Sequence, residues 1–223
     1  MTRRYVILAA VAATALGSAA VLAQGQPQQP QQPMRFFVSS EPHSGNFGGL
    51  AGADAFCQRL AAAAGAGNRT WHAYLSTQPA NGQPAVNARD RIGNGPWHNA
   101  KGVLIAANVA DLHGDDERDR NNINIFNSLT ETGGHIRGRG EMPNEHDMLT
   151  GSDSHGRAFP AGEDRTCNNW TSENDMNKAM IGHHDRMSQN NVSWNSSHMT
   201  QGCSLPALNR TGGAGHIYCF ATN

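Results

Sequence analysis

Histidine lies close to aspartate at three places in the sequence, and these positions are its clearest candidates for chemistry. They are His146 with Asp147, the run His183, His184 and Asp185, and Asp111 with His113. Imidazole and carboxylate groups together suit Zn²⁺ or Cu²⁺. No His-Glu-x-x-His or comparable spacing supports them, and neighbouring side chains of an extended segment point to opposite sides. Solvated loop side chains are therefore the favoured interpretation, with a metal site at residues 183–185 as the alternative.

An acidic run at residues 115–120 (Asp-Asp-Glu-Arg-Asp-Arg) is a candidate of another kind. Ca²⁺ prefers six to eight oxygen ligands, and calcium loops supply them at alternating positions around a central glycine. The run lacks that pattern, so we interpret it as a solvated charged turn. We accordingly expect no cofactor, although Ca²⁺ and Zn²⁺ stay open as alternatives.

Tryptophan side chains offer flat apolar faces on which sugars can stack. Trp194 lies between Ser193 and Asn195 in a polar segment, which makes it a better candidate for sugar binding than Trp97 or Trp170. Packing of the same side chain under its loop is nevertheless the favoured interpretation, with sugar binding as the alternative.

Catalytic motifs are missing from the sequence. It contains no Gly-x-Ser-x-Gly elbow, no phosphate-binding loop and no dinucleotide fingerprint. We therefore expect a protein without enzymatic activity, and a hydrolase with an unrecognised site is a less favoured alternative.

Charge and composition exclude several classes of protein. The chain has 223 residues, with 17 Lys and Arg against 18 Asp and Glu, which gives a formal net charge of -1. Clustered basic residues, the mark of nucleic-acid binding, are absent. A mean hydropathy of -0.56 excludes a membrane protein with many spans. A small polar protein remains.

The N-terminal segment predicts export. Arg3 and Arg4 precede an apolar run over residues 5–22, and the small residues Val21 and Ala23 fit signal-peptidase cleavage after residue 23. Residues 24–34 are rich in Gln and Pro and predict a flexible linker. We expect a single domain over residues 35–223. The leader and the linker look bacterial, so the predicted location is the periplasm, the cell surface or the medium, with no membrane span after cleavage.

The remaining pattern predicts an α+β domain of short elements. Apolar residues at helical spacing predict a helix over residues 53–64, and a second short helix is predicted over residues 86–92. Predicted strands cover residues 35–39, 70–76, 102–107, 124–126, 147–151 and 215–221. Residues 111–122 read as loop, and Asn, Ser, Gly and Asp dominate the segments after residue 151, which predicts long loops.

Four cysteines follow the predicted leader: Cys57, Cys167, Cys203 and Cys219. Export to an oxidising compartment makes disulfides the expected state. No Cys-x-x-Cys occurs, which disfavours a cysteine-based zinc site. Three pairings are open. A nested pairing of Cys57 with Cys219 and Cys167 with Cys203 would tie the ends of the domain together and hold the loop region separately.

The nested cysteine pattern, with one cysteine on the first helix and its partner on the last strand, resembles the C-type lectin-like fold. The closer resemblance is to the endostatin domain of basement-membrane collagens and to related bacterial secreted lectin-like domains. Matching segments follow in the family's order: residues 48–57 (GGLAGADAFC), 70–76 (TWHAYLS), 88–91 (ARDR), 151–157 (GSDSHGR), 167–171 (CNNWT) and 216–220 (HIYCF). The resemblance implies two N-terminal helices, short antiparallel strands, long disulfide-stapled loops, and the bridges Cys57–Cys219 and Cys167–Cys203.

The binding residues of this family are not matched. Calcium-dependent lectins carry Glu-Pro-Asn and Trp-Asn-Asp triplets, whereas residues 141–144 read Glu-Met-Pro-Asn and residues 194–196 read Trp-Asn-Ser. The His-rich start that binds zinc in endostatin is absent, and the net charge of -1 does not suit a heparin-like ligand. The family's calcium, zinc and heparin sites therefore do not carry over.

By analogy with the fold, the sequence predicts a secreted, non-catalytic recognition module that binds a glycan or a surface protein through its long loops between about residues 140 and 213. A periplasmic His-based metal-binding protein is the alternative. The candidate ligand-binding residues are Asn144, Asp147, Asp153, His155, Trp194 and Asn195.

Overall fold

The described part of this computed structural model comprises residues 31–115, 120–186 and 193–223. It contains eight strands and four helices, joined by loops. The strands are β1 (Phe36–Val38), β2 (Trp71–Ala73), β3 (Trp97–His98), β4 (Leu104–Ala106), β5 (Asp147–Leu149), β6 (Met180–His183), β7 (His198–Met199) and β8 (Gly213–Ala221). The helices are α1 (Gly49–Ala63), α2 (Val109–His113), α3 (Cys167–Trp170) and α4 (Leu205–Thr211). The predicted mixture of helices and strands is confirmed.

The predicted signal peptide and most of the linker lie outside the described residues, as do positions 116–119 of the predicted charged turn. Residues 31–223 form one unit. Met34, at the end of the predicted linker, packs against an apolar cluster of the domain. Among the described residues, no helix is long and apolar enough to cross a membrane.

The strand β8 lies at the centre of the main sheet, and all nine of its residues are buried. The sheet order is β1-β8-β5-β6-β7, and β2 also pairs with β8. All these pairs are antiparallel except β5 with β8, which is parallel. The expectation of antiparallel strands is wrong for this pair. The connection of more than sixty residues between β5 and β8 is long enough for a crossover, which parallel pairing requires.

Side chains alternate along β8 between two apolar clusters. Ile217, Cys219 and Ala221 belong to the cluster that includes the buried face of α1. Tyr218 and Phe220 point to the opposite cluster. This alternation is the period of two expected for a strand with apolar layers on both faces.

Both predicted disulfides are present. Cys57 of α1 bonds to Cys219 of β8 with a Cα–Cα distance of 5.6 Å, and Cys167 bonds to Cys203 at 5.8 Å. They close 162 and 36 residues, and loop entropy assigns each a stabilisation of about 3–5 kcal/mol. The inner bridge holds the segment that follows β7 close to the segment that precedes β6.

Side-chain hydrogen bonds to the backbone account for two wrong predictions. The helix expected at residues 86–92 is a single 3-10 turn, Ala88–Asp90, and the amide of Ala88 donates to Ser76 Oγ. The strand expected at residues 124–126 is a turn, because the Asn124 carboxamide oxygen accepts from the amides of Phe126 and Asn127. Asparagine commonly bonds to the backbone two residues on and so favours turns.

Helices α2 and α4, and the left-handed turn α3, occur where the sequence predicts loops. Helix α2 occupies the start of the 111–122 segment, and its first turn is capped by Asn108, whose oxygen accepts from the Asp111 amide. Helix α4 begins at the cap Ser204, carries Pro206 in its first turn and ends at Gly212, which has a φ of 96°. These are ordinary start and stop residues, but the surrounding polar composition hides them.

A buried polar network joins α2 to the core. The Tyr74 hydroxyl lies 2.8 Å from His113 Nε2, and the Asn195 amide donates to that hydroxyl over 2.9 Å. His113 Nδ1 lies 2.9 Å from the Val109 carbonyl, which can only accept. Nδ1 therefore carries the proton and Nε2 accepts from Tyr74, so the neutral imidazole is fully bonded.

Lowering the pH below 6.5 is expected to destabilise the protein through His113. Burial lowers the pKa of this imidazole to about 4, from an ordinary value of 6.5. The unfolded chain therefore binds a proton between these values that the folded chain rejects. The contribution of the neutral His113 imidazole to the unfolding free energy is therefore complete above pH 6.5. It falls by up to about 3 kcal/mol on acidification towards pH 4. Urea unfolding in EDTA at pH 7 and pH 4.5 measures the difference.

The matched variants are His113→Gln, which should reduce the dependence of the unfolding free energy on pH, and His155→Gln, which alters a histidine whose side chain is 48% exposed. An unchanged pH dependence in His113→Gln would show that the neutral buried imidazole is not the source of the acid sensitivity.

Candidate metal centre

Strand register brings three of the chemically active side chains onto one face of the sheet. Asp147 of β5 pairs with His183 of β6, and His198 of β7 pairs with Ile181 of β6. Directly paired residues share a face, and so do residues two apart on one strand. Asp147, His183 and His198 therefore project to the same side, at one end of the apolar layer that contains Ile181.

Three histidine side chains converge on the Asp147 carboxylate. Asp147 Oδ1 lies 3.2 Å from His146 Nε2, 3.3 Å from His183 Nε2 and 3.7 Å from His198 Nε2. The Nε2 atoms of His183 and His198 are 3.1 Å apart. The rings of His146 and His183 stack with their centroids 4.3 Å apart and their planes at 7°.

Three of these residues have the spacing of ligands to one metal ion. The ligand atoms of His146, Asp147 and His183 all lie within 4.8 Å of one another. A tetrahedral zinc ion with bonds of about 2.0–2.1 Å separates its ligand atoms by roughly 3.3 Å. The two nitrogen–oxygen distances of 3.2 and 3.3 Å match that separation. His198 lies next to this group as a third nitrogen and a fourth potential ligand.

The Asp147 carboxylate is buried without a hydrogen bond. Its side chain is 2% exposed, and neither Oδ1 nor Oδ2 has a hydrogen-bond partner among the described residues. The imidazole nitrogens are close enough to bond but are not aligned to do so. A buried unpaired carboxylate is costly, and an oxygen that imidazole nitrogens approach without hydrogen-bonding to it points to a shared cation.

Hydrogen bonds on the far side of two rings fix where their free electron pairs point. His146 Nδ1 lies 3.2 Å from Asp185 Oδ2, and His198 Nδ1 lies 3.2 Å from the Met199 carbonyl. Both partners only accept, so each Nδ1 carries the proton of a neutral ring. The electron pair of His146 Nε2 then lies 3.2 Å from Asp147 Oδ1, where it repels the carboxylate unless a cation lies between them, whereas His198 Nε2 can accept from His183 Nε2 over 3.1 Å. Ser197 Oγ, 3.1 Å from His183 Nδ1, positions the third ring.

Asp185 is a positioning group for the site. Its side chain is fully buried, and Oδ2 also accepts from the Arg139 amide over 2.7 Å. A carboxylate behind a ligating histidine fixes the ring and raises its basicity. Asp147 and Asp185 together supply two negative charges around this position, which equals the charge of one divalent ion.

His184 has a different position from its neighbours. It is fully buried, its Nε2 lies 3.4 Å from the Arg137 carbonyl, and burial lowers its pKa to about 4. The predicted set of His183, His184 and Asp185 therefore divides into a candidate ligand, a core residue and a positioning residue. The interpretation of His146, Asp147 and His183 as solvated loop side chains is wrong, because all three are buried in or beside paired strands.

Two of the residues predicted to bind ligand lie far from solvent. Trp194 is 1% exposed, and its ring lies 4.7 Å from that of Tyr74, so it offers no face to a sugar. Asn195 is also 1% exposed and donates to Tyr74 and to the carbonyls of Asp153 and Ser154. These residues support the core and the neighbouring loop.

The other predicted ligand-binding residues are divided between two places. Asp147 belongs to the cluster, and Asn144 precedes it, with its oxygen accepting from the His146 amide. Asp153 accepts from the amides of His155 and Arg157 and so shapes its own loop. The structure thus places Asn144 and Asp147 at the candidate metal centre and leaves Asp153 and His155 outside it.

Sequence reasoning missed His198. It stands alone between Ser197 and Met199, fifteen residues after His183 and fifty-one after Asp147. Only the pairing of β7 with β6 reveals its proximity to them. Considering all metal-binding residue types in this region as one set would have included His198. That set comprises four histidines and two aspartates, at residues 146, 147, 183, 184, 185 and 198.

Comparison of the sequence with models of protein families and with curated proteins finds no match.

Replacing Asp147 is expected to stabilise the metal-free protein. In Asp147→Asn the buried negative charge is removed while the volume is kept, and the amide can donate to an imidazole nitrogen. Relief of an unpaired buried group predicts a gain of about 1–3 kcal/mol in unfolding free energy, measured by urea denaturation in EDTA.

Asp153→Asn is the matched control, because the carboxylate of Asp153 already accepts two backbone amides. It should give no gain. A loss of stability in Asp147→Asn would mean that protonated imidazoles already compensate the carboxylate in the metal-free state.

Proposed function

We propose that this protein binds a divalent transition-metal ion, zinc before others, through His146, Asp147 and His183, with His198 beside them as a further nitrogen ligand. The observation that carries the proposal is the buried Asp147 carboxylate, which has no hydrogen bond and lies 3.2 and 3.3 Å from two imidazole nitrogens. A bound cation removes the electrostatic cost of that arrangement.

The ligand types favour a transition metal over calcium or magnesium. Those hard ions take six or more oxygen ligands, whereas nitrogen predominates at this site. Zinc is favoured over Cu²⁺ by spacing. Adjacent ligands of a square-planar ion are roughly 2.8–2.9 Å apart, while the separations around Asp147 and His183 run from 3.1 to 3.7 Å.

The proposed setting is the periplasm or the exterior of a bacterial cell. Two disulfides fit an oxidising compartment. The C-type lectin-like, endostatin-like fold is likewise proposed, and the bridge from α1 to β8 around a separate inner bridge supports it. Recognition of a glycan or surface protein stays a prediction, and Trp194 is removed from the residues that would perform it.

Zinc affinity tests the proposal. Isothermal titration of zinc into the exported, untagged protein, stripped with EDTA, should show one site per chain. Asp147→Asn and His183→Gln each remove a ligand and should weaken binding by at least about 100-fold. Asp185→Asn removes the charge behind the His146 ring but no ligand, and should weaken zinc binding by about 10- to 100-fold.

His155→Gln is the control for loss of a histidine outside the cluster and should bind as the unaltered protein does. Near-ultraviolet circular dichroism verifies that each variant is folded. Equal zinc binding in the unaltered protein, Asp147→Asn and His183→Gln would refute the site, as would absence of binding to the unaltered protein.

A further inference from the structure

The four side chains of the proposed metal centre differ in their contact with solvent. Those of His146, Asp147 and His183 are 9%, 2% and 5% exposed, whereas the His198 side chain is 41% exposed. The Nε2 atom of His198 nevertheless lies 3.1 Å from His183 Nε2 and 3.7 Å from Asp147 Oδ1. A single side chain therefore extends from the solvent to the ligand atoms of the buried residues.

The exposure of His198 follows from its place in the sheet. The strand β7 is the last in the order β1-β8-β5-β6-β7, and its two residues pair with β6. The strands that carry Asp147 and His183 each lie between two others. These two residues therefore lie in the interior of the sheet, and His198 lies at its edge, which is the side open to solvent.

The His198 ring has a weaker support than the His146 ring. His146 Nδ1 lies 3.2 Å from a carboxylate oxygen of the fully buried Asp185. His198 Nδ1 lies 3.2 Å from the backbone carbonyl of Met199. A hydrogen bond to an ionised acceptor is roughly twice as strong as one between neutral groups. Rotation of the His198 ring away from an ion therefore costs less than rotation of the His146 ring.

Backbone hydrogen bonds fix the chain on both sides of His198. The Ser197 amide donates to the Ile181 carbonyl over 2.6 Å. On the other side, the Thr200 amide donates to the Ala179 carbonyl and the Thr200 hydroxyl accepts from the Ala179 amide, both over 2.9 Å. The His198 side chain can therefore turn out into solvent while β7 stays paired and the buried ligands keep their positions.

Departure of the His198 nitrogen would leave a centre at which zinc exchanges ligands. Zinc with three protein ligands takes water or substrate in its fourth position, and it can expand to five ligands. An incoming donor can thus form its bond to zinc as the bond to His198 Nε2 breaks. When both donors are neutral nitrogens, each supplies one electron pair, so neither the oxidation state of the ion nor the charge of the centre changes.

Charge favours a neutral donor at this position. Asp147 and Asp185 already supply two negative charges around the ion, and both side chains are buried. A carboxylate or thiolate from outside would add a third negative charge, whereas an imidazole adds none. An imidazole also has the shape of the group that it replaces. The donor that fits is therefore the side chain of a histidine on another molecule.

We propose that zinc enters and leaves the centre past His198, and that this side chain is an exchangeable fourth ligand whose position a histidine of a partner protein can take. The centre then passes zinc to such a partner or receives it, while His146, Asp147 and His183 hold the ion on the buried side. This inference rests on the proposed metal site.

Replacement of His198 by glycine, followed by addition of imidazole, tests the exchangeable position. The EDTA-stripped, exported and untagged protein is titrated with Co²⁺, whose visible absorption reports its coordination geometry. His198→Gly should bind Co²⁺ at least about tenfold more weakly, because loss of a ligand costs no less than loss of a group that supports one. Imidazole should restore the affinity in a saturable way and return the cobalt bands to those of the unaltered protein.

His146→Gly and His183→Gly are the matched controls, because they remove side chains that are only 9% and 5% exposed. The gap that each leaves is closed to solvent, so imidazole should restore little of the lost cobalt affinity. Near-ultraviolet circular dichroism verifies that each variant is folded.

Zinc transfer from the unaltered protein provides a measurement that needs no variant. The zinc-loaded protein is mixed with increasing excesses of pyridylazoresorcinol, a coloured chelator with nitrogen donors. Exchange at an accessible position predicts a transfer rate that rises in proportion to the chelator concentration. Release of a fully enclosed ion predicts a rate that does not depend on that concentration.

The outcomes separate the two proposals. Failure of the unaltered protein to bind Co²⁺ and zinc would overturn the metal site itself. Binding by the unaltered protein with an equal cobalt affinity in His198→Gly, no response of that variant to imidazole, or an equal response in either control would overturn the exchangeable ligand and leave the metal site standing. A zinc-transfer rate that does not depend on chelator concentration would do the same.

Discussion

The burial of β8 is the constraint on which the rest of the structure depends. All nine of its residues are buried, and β1, β2 and β5 all hydrogen-bond to it. Alternate side chains of β8 enter the two apolar clusters, and Cys219 links the strand covalently to α1. A shift of register by one residue would exchange the side chains that enter the two clusters. The position of β8 is therefore strongly determined.

The proposed metal centre takes its geometry from the same strand. Asp147 of β5 pairs with Gly213 at the start of β8, and its amide donates to the Gly212 carbonyl over 3.1 Å. Pairing of β5 with β6 then places His183 opposite Asp147. The positions of both side chains thus follow from backbone pairing that begins in the core. This is why a carboxylate and an imidazole can be held close together without a hydrogen bond between them.

Segments with a strong local signal were predicted well from the sequence. The periodic spacing of Phe56, Cys57 and Leu60 predicted α1, and the apolar run at the C-terminus predicted β8. The resemblance supplied the cysteine pairing. Elements that depend on tertiary contacts were missed, as with β6 and β7, whose residues resemble the loops around them. The two residues of β7 become a strand only through pairing with β6.

The site illustrates the same limit. His146, Asp147 and His183 were recognised as metal-binding residue types, but their burial depends on strand pairing across more than thirty residues, and local composition predicted solvent instead. His198 was not considered, because a lone histidine carries no spacing signal. Sequence reasoning therefore identified residue types that can bind a metal but not their arrangement, because strand pairing in the sheet determines that arrangement.

A purely structural role explains this cluster poorly. Apolar side chains at the end of the Leu149 and Ile181 layer would extend the core, and replacing buried charges with apolar groups of similar volume is often neutral or stabilising. The chain instead buries two carboxylates, Asp147 and Asp185, among three imidazoles and leaves one carboxylate without a hydrogen bond. Buried groups without hydrogen bonds cost stability, and they are expected where a protein exchanges stability for function. A divalent ion would relieve this cost, because it would supply the countercharge that Asp147 lacks and accept the electron pair that His146 Nε2 holds beside the carboxylate.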